Sequence, residues 1–126
     1  MDATSAKLEG DAHEDTLREA TSCATTLSKL KRYAEAKALL LKRIPVACRV
    51  LGESHHLTLK MRWNYAITLY RDTGSTLDDL REAVTTLEDA APTARRVLGS
   101  VHPGTTGIEE VLAFARATLR RRETRF

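Results

Sequence analysis

Apolar residues recur along this chain at steps of three and four. Leu17, Ala20, Ala24, Leu27 and Leu30 make one stripe, and Leu59, Trp63, Ala66 and Tyr70 make another, with Ile67 and Leu69 on adjoining faces. Ile108, Val111, Leu112, Ala115 and Leu119 make a third. Two more stripes lie between them: Ala36, Leu39, Leu40, Ala47 and Leu51, then Leu80, Val84, Leu87, Ala94 and Leu98. This spacing gathers apolar side chains on one face of a 3.6-residue helix. No segment alternates with period two for long enough to make a strand, so the pattern predicts five helices. Gly and Pro punctuate it at Gly10, Pro45, Gly52, Gly74, Pro92, Gly99 and Pro103-Gly104.

One phrase is written twice. PVACRVLGESH begins at Pro45 and PTARRVLGSVH at Pro92, 47 residues later. A phrase repeated at a fixed offset marks a building block. Gly52 and Gly99 stand just past the last apolar position of a stripe, where a residue with positive φ closes a helix most easily when it has no Cβ. Arg49 and Arg96 fall in those last turns, at the negative end of the helix dipole. Pro103 suits a first helical turn, where its missing N–H costs nothing. Gly10-Asp11-Ala12-His13 shows the same Gly-x-x-His spacing a third time, with Thr16 placed as Thr58 and Thr105 are.

The units therefore read as residues 10–51, 52–98 and 99–119, after an acidic, flexible segment 1–9 and before a basic tail 120–126. The periods are 42 and 47 residues, and the alignment of Glu35-Ala36 with Glu82-Ala83 places the five extra residues in the turn around residues 72–79. Pro45 and Pro92 fall inside helical stripes. Because Ala47, Val50 and Leu51 resume the stripe with little change of phase, a bend is expected there rather than a break.

Composition narrows the class. The chain has 126 residues, 42% hydrophobic and 29% charged, with only 5% aromatic. These figures suit one domain with a Leu, Ala and Val core of closely packed helices. The net charge is +3, but it is unevenly spread. Six acids stand against Lys7 and Arg18 in residues 1–20, while Arg120, Arg121, Arg122 and Arg125 close the chain. Cys23 and Cys48 read as small buried side chains rather than a disulfide framework. The beginning lacks a basic region followed by an apolar run, and no stretch approaches the roughly 18 apolar residues of a membrane span. A soluble, cytoplasmic protein is expected.

Little here suggests catalysis. His55 and His56 are adjacent, so on a helix they point about 100° apart and suit one ion poorly, and no Cys or acid completes a set at zinc spacing. No phosphate-binding glycine loop and no nucleophile–base–orienter set is present. The reading is of a protein without enzymatic activity, metal or cofactor.

A helical pair repeated at this period, joined by L-G-x-x-H-(P)-x-T, resembles the tetratricopeptide repeats of kinesin light chains. The resemblance is carried by Leu51-Gly52, His55, Thr58-Leu59, Asn64, Ala66 and Leu69, and continues through Glu82-Ala83, Leu98-Gly99, His102-Pro103 and Thr105. Lys31 departs from it, standing where the family prefers a turn glycine, as does His56 in place of the proline seen at Pro103. The resemblance implies an all-α, right-handed α-solenoid of two helical hairpins plus a C-terminal capping helix.

It also implies a function. Such arrays present the first helix of each pair along a concave groove that binds peptide segments. Carried over position by position, the groove candidates are Lys60, Trp63, Asn64, Ile67 and Arg71, then Arg18, Thr21, Ser22, Thr25 and Lys29, with Glu110 and Phe114 from the last unit. Asn64 can donate to and accept from a peptide backbone, while Lys60 and Arg71 suit an acidic segment. The expected partner is a protein or peptide. Two alternatives stand beside this: a self-associating scaffold, a homo-oligomer built through the last helix, and a binder of nucleic acid or an acidic surface through the basic C-terminal helix. Nucleic acid is disfavoured because no stacking aromatics are interleaved with the arginines.

Overall fold

The structure is a computed structural model that describes the backbone of residues 3–124 and the side chains of residues 14–124. It contains α1 (Ala3–Lys29), α2 (Tyr33–Val50), α3 (His56–Arg71), α4 (Leu77–Leu98) and α5 (Pro103–Glu123). There is no strand among the described residues. Helices α1 and α2 form one antiparallel hairpin, α3 and α4 a second, and α5 packs on α4 as the fifth helix. The stripes predict these five helices, and their packing is that of the α-solenoid the resemblance implies.

The core is built from those stripes. Leu17, Ala24, Leu40, Leu59, Leu69, Leu87 and Ile108 are buried, and Ala36, Ala47, Ala66, Ala83, Ala90, Ala94 and Ala115 let the helices approach closely. Helix α3 touches all four others and is the centre of the molecule. Tyr65 is buried in it, and its hydroxyl donates to Glu82 of α4 at 2.7 Å. Burial, with that carboxylate beside it, pushes the phenol well above its ordinary range.

The repeated phrase is the joint between hairpins. Gly52 has φ +93° and Gly99 φ +96°. Gly99 combines this with ψ 156°, a region that is essentially closed to any residue with a Cβ. His55 and His102 follow as N-caps of α3 and α5. Each imidazole folds back so that Nδ1 accepts a backbone N–H two residues on, from Leu57 at 3.1 Å and from Gly104 at 2.9 Å. The N–H groups of a first helical turn have no partner within the helix, and this histidine supplies one. Pro103 sits in the first turn of α5 as expected.

The two joints differ in one buried hydroxyl. Thr105 donates to the Ala94 carbonyl at 3.1 Å, whereas Thr58, equally buried, has no partner. The equivalent acceptor for Thr58 is the Ala47 carbonyl, which already takes both Leu51 N–H and Gly52 N–H.

Three details depart from the sequence reading. Helix α1 runs unbroken through Gly10-Asp11-Ala12-His13, so this third copy is helix and not a turn. The five added residues divide: the α3–α4 connection is residues 72–76 against 30–32 for α1–α2, and the other three lengthen the start of α4. Thr76 and Asp79 cap that start reciprocally. Cys23 is exposed and Cys48 half-buried, neither being the core side chain expected. Pro45 and Pro92 leave α2 and α4 continuous, so neither helix breaks. Lys31 has φ +62°, the left-handed conformation a glycine would accept more easily.

Candidate interaction groove

Helices α1, α3 and α5 lie side by side as one layer, each touching the next, while the backbones of α2 and α4 stand farther apart, bridged by the Lys37–Asp79 ion pair at 3.1 Å. The layer of α1, α3 and α5 is the one on which the family resemblance places the groove.

A cleft of about 650 Å³ opens on this face between α3 and α5. Trp63, Ile67 and Arg71 line it from α3, with Glu110, Val111 and Phe114 from α5. Phe114 is 50% exposed and stacks on Tyr70, their ring centres 6.4 Å apart. Arg71 and Glu110 are both exposed, and neither forms an ion pair among the described residues. The cleft thus offers an aromatic floor, one free cation and one free acid. Such a surface can take an apolar side chain while its charges read what flanks it.

Other candidates fall outside this cleft. Lys60 is exposed one turn earlier on α3 and lines a neighbouring hollow that shares Trp63 as a wall. Asn64 faces α1: its amide donates to Thr25 Oγ1 at 3.0 Å, and that hydroxyl donates to the Thr21 carbonyl at 2.9 Å. Asn64 therefore helps to fix α3 against α1. Thr21 is buried and bonded to the Leu17 carbonyl. Arg18 is held along α1 by Glu14 at 3.1 Å and Asp15 at 3.0 Å. Ser22 and Lys29 are exposed on α1.

Sequence reasoning missed Tyr70 and Gly107. Tyr70 was assigned to a core stripe, yet it is only half-buried and faces the cleft. Gly107 occupies the position of Lys60 in the repeat register, and the Trp63 indole rests against it. A glycine set opposite the chain's single tryptophan, one helix on, was the available signal.

Electrostatics at the first joint involve several groups. His55 lies 3.7 Å from Glu14, and its ring stacks on His56. Partial burial, and then His56, hold the imidazole below its usual pKa. The arginines of α5 are partly committed to the fold. Arg116 pairs with Glu88 at 2.7 Å, and Arg122 donates to the Ser75 carbonyl at 2.6 Å. No group of three His, Cys, Asp or Glu side chains able to hold a metal ion occurs among the described residues, and no described helix is long and apolar enough to cross a membrane.

The tetratricopeptide repeat family model matches residues 22–57. This segment runs from the last third of α1 through α2 and the first joint into α3, and over it the chain is similar to such a repeat. No curated protein and no solved structure matches the chain.

Proposed function

We propose that this protein is a non-catalytic interaction scaffold that holds a peptide segment of a partner protein along the concave face of α1, α3 and α5. The tetratricopeptide match supports a protein-interaction role, and the duplicated L-G-x-x-H joint supports the kinesin light chain type of repeat. The observation that carries the groove is the cleft between α3 and α5, with Phe114 stacked on Tyr70 and half exposed beside the free Arg71. An aromatic side chain left open next to an unpaired guanidinium favours a segment with an apolar anchor and an acidic neighbour.

The test selects binding peptides from a displayed library and measures their affinity for variants. Phe114→Ala and Arg71→Ala change exposed side chains and leave the core intact, so both should stay folded. Each is expected to weaken the selected peptides at least tenfold. Peptides that bind both variants as they bind the parent would remove the cleft from the binding surface.

A further inference from the structure

The second joint contains a hollow of about 420 Å³ that the repeat register does not call for. It lies between the first halves of α3 and α5, walled by Leu59, Trp63, Leu98 and Ile108. Its cause is legible in the repeat. At the equivalent position of the first joint stands Leu57, only 4% exposed, whereas the second joint has Gly104. Gly107, a further turn along at the position of Lys60, adds nothing to the hollow, because the Trp63 indole rests against it and forms the wall instead.

The charged and titratable groups at this hollow are one ammonium and two imidazoles. Lys60 brings an exposed ammonium with no ion-pair partner among the described residues. His102 uses Nδ1 to accept from Gly104, so its proton sits on Nε2 as a donor. His56 adds a second imidazole, and no carboxylate lines the space. Trp63, which forms the wall toward the larger cleft, has a buried indole N–H without an acceptor.

From these observations we infer that the hollow is a binding site for a small apolar carboxylate, its aromatic or branched body seated between Leu59, Leu98 and Ile108 and its anionic head on Lys60 and His102. Volumes of this size suit small organic ligands. An apolar enclosure rimmed by donors and a free cation favours an anion over a neutral or cationic head. The site shares the Trp63 wall with the peptide cleft, but neither Phe114 nor Arg71 lines it.

The probes are phenylacetate and its neutral analogue phenylacetamide, titrated at pH 7 against the full chain. Trp63 is the only tryptophan, so its emission reports on the pocket wall directly. The parent should show a saturable change with phenylacetate and bind phenylacetamide at least tenfold more weakly. Gly104→Leu, which restores the residue of the first joint, should abolish binding of both while the helix signal is retained. Lys60→Met alters an exposed side chain and should erase the preference for the acid. The inference is overturned if the parent gives no saturable response, or if acid and amide bind equally. It is also overturned if a folded Gly104→Leu binds phenylacetate as the parent does. Should Gly104→Leu not fold, Lys60→Met decides alone, and an unchanged acid-to-amide ratio in it rejects the site.

Discussion

The Trp63 indole is seated on Gly107, so closely that a Cβ at position 107 would come within 2.7 Å of the ring carbon Cζ2. One helix of this layer thus carries the chain's largest side chain where the next carries none. The Trp63 side chain lines both the larger cleft and the smaller hollow and so stands between them.

Gly107→Ala tests that relationship. In an open helix the change would gain about 1 kcal/mol of helix propensity. Against the indole, overpacking costs about 1–3 kcal/mol. A net loss of about 1 kcal/mol is expected in urea denaturation, with a shift in Trp63 emission. A stabilised variant with unchanged emission would show that the indole does not rest there.

Histidine acts as a cap at both joints, which separates His102→Ala from His102→Asn. The alanine removes the acceptor for Gly104 N–H and should cost about 1 kcal/mol. Asparagine is itself a favoured N-cap and should restore most of that stability. Equal losses in the two variants would mean that the ring matters for something other than this hydrogen bond.

Backbone conformation predicts opposite signs at two turns. Lys31 holds φ +62°, so Lys31→Gly should stabilise the chain by up to about 1 kcal/mol. Nothing lies within 4 Å of a Cβ built at Gly52 or Gly99, so Gly99→Ala meets no steric contact. Its loss of about 1–2 kcal/mol would come from the backbone alone. Thermal unfolding of the two variants measured together checks both signs.

Two titrations among the described residues contribute to the acid side of the stability curve. His55 is held below its ordinary value by burial and by His56, with Arg18 acting in the same sense and Glu14 against them. The unfolded chain therefore binds this proton first. Stability is full above about pH 6.5 and declines as pH falls toward the lower folded pKa. Asp79 is held down because its carboxylate accepts the Thr76 N–H and faces Lys37 at 3.1 Å, which together outweigh its partial burial. Its contribution is present above the ordinary aspartate range and is lost as pH falls through the lower folded value. His55→Gln should flatten the decline just below pH 6.5 and leave the later acid step in place. Urea midpoints taken across this range would show it, and an unaltered slope would exclude His55 as the cause.

Much of the fold could be read from the chain because its determinants are local. Five apolar stripes mark five helices, and Gly52 and Gly99 mark their joints because only glycine enters those φ,ψ regions cheaply. Even the departure at Lys31 fell where the backbone turns left-handed. The phrase at Gly10 misled because spacing alone does not make a turn. Gly52 and Gly99 each follow a leucine, Leu51 or Leu98, that packs on the core. Gly10 follows Lys7-Leu8-Glu9, with an acid and not a leucine directly before it, and one glycine inside a helix costs only about 1 kcal/mol.

The candidate site divides along the same line. Repeat register placed Trp63, Ile67 and Arg71 on α3 and Glu110 and Phe114 on α5, and these five share one cleft. It could not tell that Asn64 would meet Thr25, 39 residues away, or that Trp63 would find Gly107. Those pairings depend on how far one helix slides and turns against the next, which no single helix encodes. The sequence by itself determined which residues are helical, where the helices stop and which faces are apolar, since each follows from near neighbours along the chain. Tertiary structure alone decided which side chains cross between helices and where two glycines leave room, because packing is settled between surfaces that meet only once the chain has folded.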